Sequence, residues 1–283
     1  MRSIFSYWNI SAANAIVVLL LCALYLLAVK FRFSKRSFYF LAALCVIVIC
    51  IVSPLHFLGK HYLFSAHMLS HVLLLLVAGP LVVAAIPNKN SFKKGLLLFS
   101  KRIFKTPLLP WLAGVSIMWI WHVPFIFYHL VSMHGAENSS AGMQLLMAFH
   151  TASLLFAGII FSWPLINPYK QYRLGSLTPV LYLSSACVFC SLLGLLITFA
   201  PAGTYTRYIT GNDVNGILHV IRNGWNLSAS ADQQIGGLIM WVPCCFIYLT
   251  ASMLILIKWF GEKEIKHSIT TAFTEGMGNN IKR

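Results

Sequence analysis

Long apolar runs alternate along the chain with short breaks that are mostly basic. The runs lie at about Ala12 to Phe31, Phe38 to Pro54, Phe64 to Ile86, Leu109 to Val131, Met143 to Leu165, Leu177 to Ala200 and Gly236 to Phe260. Several approach or exceed the roughly 18 to 20 apolar residues that a helix needs to cross a bilayer. The pattern predicts an all-α integral membrane protein: a seven-transmembrane-helix bundle over residues 1–260 and a cytoplasmic tail over 261–283. Prolines at 80, 110, 124, 164, 179 and 243 fall inside or at the ends of runs, where kinks are expected. Residues 201–234 form the one long segment between runs, with a short helix expected near Gly216 to Arg222.

Composition agrees. The chain is 59% hydrophobic and 10% charged, against about 25% charged in soluble domains. The net charge of +15 does not point to nucleic acid, because the basic residues sit between the runs. Seventeen of the 21 lysines and arginines follow runs one, three, five and seven. The positive-inside bias therefore predicts an outside N-terminus and an inside C-terminus. Only Arg2 precedes the first run, whereas Lys30, Arg32, Lys35 and Arg36 follow it. That order predicts a retained span rather than a cleaved signal peptide.

In this topology nine of the ten histidines fall in the outer half, and only His267 lies inside. His67 and His71 are four residues apart at the start of the third run, so both rings share one helix face. His122 and His150 sit at a similar depth on the next two runs, counting about 1.5 Å per residue. A lone membrane histidine is commonly an interhelical hydrogen-bond donor. For the interfacial His56, His61, His129 and His134 that plain role is expected. Convergence of His71, His122 and His150 instead predicts a metal site. Imidazole suits zinc, copper, iron and nickel, and thioether selects soft copper. Met68 adjoins His67, and Met147 precedes His150 by one turn. Copper is therefore the expected metal, with His67, Met68 and Met147 as auxiliary ligands or entry residues.

Asp232 is one of six acidic residues in the chain. It is expected to cap a helix N-terminus or to orient a ligand histidine through the ring's other nitrogen. All seven cysteines fall inside runs, which is not a secreted disulfide framework. Cys187-x-x-Cys190 and Cys244-Cys245 read first as small buried hydrophobes, and a redox or copper relay is the weaker alternative. Without a nucleophile motif, paired carboxylates or a phosphate-binding loop, no covalent catalysis is expected.

Four segments carry a resemblance. They are His67-Met-Leu-Ser-His71 leading to Gly79-Pro80-Leu81, Trp121-His122-Val-Pro124, Phe161-Ser-Trp163-Pro164, and Asp232-Gln-Gln-Ile-Gly-Gly-Leu-Ile-Met240-Trp241. Together they resemble the multi-span cytochrome c oxidase assembly factor family, CtaG of the caa-type oxidases, over roughly Phe57 to Trp259. The resemblance implies a multi-pass protein of the bacterial plasma (inner) membrane. It also implies a role in maturing a haem-copper oxidase through copper delivery to the catalytic subunit. An external copper chaperone and membrane lipids are the further expected partners. Cys244-Cys245 departs from the family pattern, where small residues such as glycine are expected. The alternatives are a haem-binding or haem-handling protein with two axial histidines, and a seven-span receptor or transporter. A transporter would ordinarily carry polar sites at the midplane.

Overall fold

A computed structural model describes residues 6–29, 34–87, 93–127, 141–175, 177–201, 204–205, 213 and 216–280. Among these residues every regular element is helical. The order is α1 (Ala12–Val29), α2 (Lys35–Val52), α3 (Pro54–His61), α4 (Phe64–Ala85), α5 (Lys93–Lys105), α6 (Leu108–His122), α7 (Ala141–Ile166), α8 (Thr178–Phe199) and α9 (Ala229–Asn280). Five helices are long and apolar enough to cross a membrane: α2, α4, α7, α8 and the first part of α9. The apolar part of α1 is shorter. The α5–α6 pair qualifies only when counted together, and it bends by 87°.

Breaks follow local chemistry. Pro54 cannot continue α2, because it lacks an N–H and its ring meets the preceding turn. Ser53 ends α2 and starts α3, its hydroxyl accepting from Leu55 N at 3.1 Å. The fourth run is helical over 108–122, breaks at Val123 and is helical again over 124–127. Val123 takes an extended ψ of 122°, as a residue before proline tends to, and α6 stops at His122. The seventh run starts earlier than expected, since α9 begins at Ala229 and takes in Asp232. The expected short helix is present as one turn at Ile217–His219, continued as a π turn over Val220–Gly224. Its Ile217 and Ile221 pack on Tyr62, Leu63 and Ala66, over the α3–α4 corner.

Helix α4 is the central element, the most enclosed of the five long helices, and packs against α2, α7 and α9. It is α-helical to Val72, then π-helical over Leu73–Ala78. Gly79 N–H bonds Leu74 C=O, five residues back, just before Pro80. The wide turn fits the place where a proline ring would crowd the carbonyl four residues earlier. At Gly79 the backbone of α4 meets that of α7: a Cβ there would lie 2.5 Å from the carbonyl carbon of Gly158. In return, a Cβ on Gly158 would strike the main chain of Leu75. Small residues at both positions let the two backbones touch. Gly237 serves α9 similarly, against Thr198 N and Gly194 O of α8.

Candidate metal centre

Three helices bring their histidines to one level. His67, Met68 and His71 come from the first turns of α4, His122 from the last turn of α6, and His150 from α7. All five side chains are buried, with Met68 at 0% and His71 at 3% exposure. One ring nitrogen each of His67, His71 and His150 lies within 4.8 Å of the others. The rings of His67 and His150 are near parallel at 5.6 Å between centroids, and His71 lies 4.3 and 4.8 Å from them. Trp121 abuts His150 edge-on at 4.7 Å, held by its indole N–H donating to Ser153 Oγ at 2.9 Å.

His122 stands behind His71 rather than beside it. Its Nδ1 bonds Met118 C=O at 2.5 Å, and a carbonyl only accepts, so the Nδ1 proton is fixed there. Its Nε2 therefore carries a lone pair. That atom faces His71 Nδ1 at 3.3 Å and Met68 Sδ at 3.1 Å. The bond to His71 then requires His71 Nδ1–H as donor, which leaves His71 Nε2 as the bare nitrogen. That Nε2 is buried and has no hydrogen-bond partner. A buried lone pair without a partner is costly in a protein interior. Metal-binding histidines characteristically give their other N–H to an acceptor in this way.

A cavity of about 60 Å³ adjoins the three rings, lined also by Cys50, His56, Lys60 and Met147. Met147 thus reaches the cavity, whereas Met68 meets His122. His56 is held by its own bond, Nδ1 to Cys50 C=O at 3.1 Å. His61 packs on Phe57 and Tyr62. His129 and His134 lie outside the described residues. His56 and Lys60, as cavity-lining groups, escaped the sequence reading. They sit one turn apart on α3, a helix too short to show a periodic pattern.

Asp232 is fully buried and, among the described residues, bonds no histidine ring. Its carboxylate accepts from Phe64 N at 2.7 Å, Ser65 N at 3.1 Å and Ser65 Oγ at 2.5 Å. These are first-turn donors of α4, whose own N-cap residue, Leu63, supplies no side-chain bond. Asp232 also lies in the first turn of α9, so one anion serves two positive helix ends. Ser65 as its partner was not legible from local sequence.

Among the described residues, the site is lined by nitrogen and thioether donors and by no carboxylate. Such a set fits copper or zinc and disfavours calcium or magnesium, which take oxygen ligands. A sequence-family model described as cytochrome c oxidase caa3 assembly factor (Caa3_CtaG) matches residues 18–262. No curated protein and no solved structure matches the chain.

Proposed function

Because the chain belongs to the cytochrome c oxidase caa3 assembly factor family, we propose that it handles copper for that oxidase at the outer side of the membrane. The observation that carries this reading is the triangle of buried donor nitrogens from His67, His71 and His150. These three would hold the ion. His122 would orient His71 by accepting its Nδ1–H, and Met147 would guard the cavity side. Met68, buried against His122 on the side away from the cavity, would offer a soft donor behind the triangle. Asp232 would fix the helix that carries two of the three nitrogens. A cavity of about 60 Å³ suits an ion and a water or two, at roughly 30 Å³ per water. It is too small for a haem macrocycle, which weighs against the haem reading.

The proposed setting is the bacterial plasma membrane. The five long helices, α1 and the fourth run from about Leu109 would make seven crossings, with α5 on the inner side, the N-terminus outside and residues 261–283 as a cytoplasmic tail. The distribution of lysine and arginine supports that orientation. The client would be the catalytic subunit of the oxidase, docking sideways in the bilayer. An external chaperone would supply the copper, and nucleic acid has no part.

The test is the metal content of detergent-purified protein after copper loading, for wild type, His71→Ala and His150→Ala. Bound copper in wild type and its loss in both variants is the expected result. Wild type that retains no copper, or retains zinc in its place, overturns the copper reading.

A further inference from the structure

Four of the seven cysteines meet between α8 and α9, away from the histidines. Cys187 Sγ lies 3.4 Å from Cys245 Sγ, and Ser191 Oγ lies 3.1 Å from the same Cys245 sulfur. One turn away, the Cys190 side chain neighbours those of Cys244 and Tyr248. Cys187, Cys190 and Cys244 are buried, Cys244 fully. Packed thiols of this kind are ordinarily small hydrophobes, but here they fall in two facing pairs rather than singly.

A line of sulfur leads to them. Asp232, Gly236, Met240, Cys244 and Tyr248 recur every four residues and form a buried stripe on α9. Gly236 lies against Met68, since a Cβ there would come within 3.2 Å of Met68 Cγ. Met68 touches His122 Nε2. Met240 follows Gly236 by one turn, and Cys244 follows Met240 by one more. At about 1.5 Å per residue, Cys244 sits roughly 18 Å below Asp232, against roughly 10 Å for His71 below Phe64. Met118, Cys190 and Tyr248 line a small void together with Leu75 and Phe161.

We propose that Cys187, Cys190, Cys244 and Cys245 form a second site, selective for Cu(I), that receives the ion from the histidine triangle by way of Met68 and Met240. The source of the ion rests on the copper reading above, whereas the thiol ligands do not. Thiolate and thioether favour Cu(I) over harder ions. One Cu(I) displaces one proton from a thiol pair, leaving a thiolate and a thiol on a neutral complex, with no change of oxidation state. Neutrality matters where burying a net charge is costly. Zinc would need four donors around one point. Among the described residues only the three histidines bring three or more such donors within 4.8 Å of one another, so the cysteines act as pairs and not as a zinc cage.

The experiment titrates the full chain in detergent, without oxygen, with Cu(I) against a colorimetric Cu(I) chelator. Near-ultraviolet thiolate-to-copper absorption is recorded throughout. Wild type is expected to develop that band. Cys187→Ser with Cys245→Ser should lose about half of it, the share of one of the two pairs, while keeping histidine-bound copper, and His71→Ala with His150→Ala should keep the band. The single variant Cys245→Ser, a gentler change, should weaken it. No band in wild type, or a band unchanged in both cysteine variants, overturns the thiol site. Unchanged copper stoichiometry in the histidine variant sinks the histidine reading instead and leaves the thiol site standing. Met240→Leu should slow appearance of the band when copper is supplied from outside to protein in vesicles, and an unchanged rate overturns the route.

Discussion

Asp232 and Ser65 are 167 residues apart in sequence and joined by a 2.5 Å hydrogen bond from hydroxyl to carboxylate. The same carboxylate takes the first two N–H groups of α4, so the helix that carries His67 and His71 is anchored by α9. Replacing Asp232 by Ala strands the buried N–H groups of Phe64 and Ser65 and leaves the Ser65 hydroxyl, which can rotate, without this acceptor. The expected loss is about 2–6 kcal/mol, from two stranded N–H donors worth about 1–3 each. Asp232→Asn should lose less, because one acceptor oxygen remains. Thermal unfolding of the purified variants in detergent measures both, and equal stability of Asp232→Ala and wild type would refute the anchoring role.

His122 is assigned to positioning and not to ligation. His122→Ala should retain copper binding but weaken it by about 10- to 100-fold, the usual effect of losing a partner that orients a ligand. His71→Ala should abolish binding at that site. Chelator competition separates the two outcomes, and abolition by His122→Ala would place His122 among the ligands.

Gly79 and Gly158 set how closely α4 approaches α7. Gly158→Leu should force the helices apart, at about 1–3 kcal/mol of overpacking, and reduce copper retention without touching a ligand. Copper content of the variant, compared with that of a similar change at Gly95, where a Cβ meets nothing within 4 Å, is the measurement.

His56 gives a pH dependence. Burial and the nearby Lys60 hold it down at about 4, below its ordinary 6.5, with the bond to Cys50 C=O opposing them. The unfolded chain takes up this proton below about pH 6.5, while the folded chain does not until about pH 4. The stabilising effect is thus present above pH 6.5 and is lost as the pH falls toward 4. The melting temperature of wild type should fall between pH 7 and pH 5 by more than that of His56→Gln. An identical fall in both would remove His56 from the account.

Reporter fusions check the orientation. A reporter active only inside should work after Lys105 and at the C-terminus, and one active only outside should work after His61 and Gly224. The reverse pattern would invert the proposed side of the copper site.

Much of this was legible in the chain, for reasons that differ by residue. His67 and His71 share a face because four residues nearly complete a helical turn, and counting residues placed His150 at the right depth. Rotation about each helix axis is not encoded in depth. That is why His122 could be expected at the level of the others, yet only the structure shows it behind His71, with His67 facing His150. The partner of Asp232 was hidden because a cap supplied from another helix leaves no local spacing to read. The π turn before Pro80 was hidden because a proline signals a disturbance without saying how the chain absorbs it. Counting apolar residues could not show the break inside the fourth run, since Val123 leaves the helix before Pro124 while the side chains on either side stay apolar.

His71 and His150 each lie eight residues before the glycine where their helices touch, 79 − 71 and 158 − 150. The joint at those glycines is main chain against main chain, with no rotamers to rearrange. Helices such as α1, exposed along most of their length, answer to the thickness of the surrounding lipid by tilting. The histidine spacing answers instead to an incompressible backbone contact. The centre therefore has the character of a calibrated gauge, expected to keep one dimension across membranes of different lipid composition.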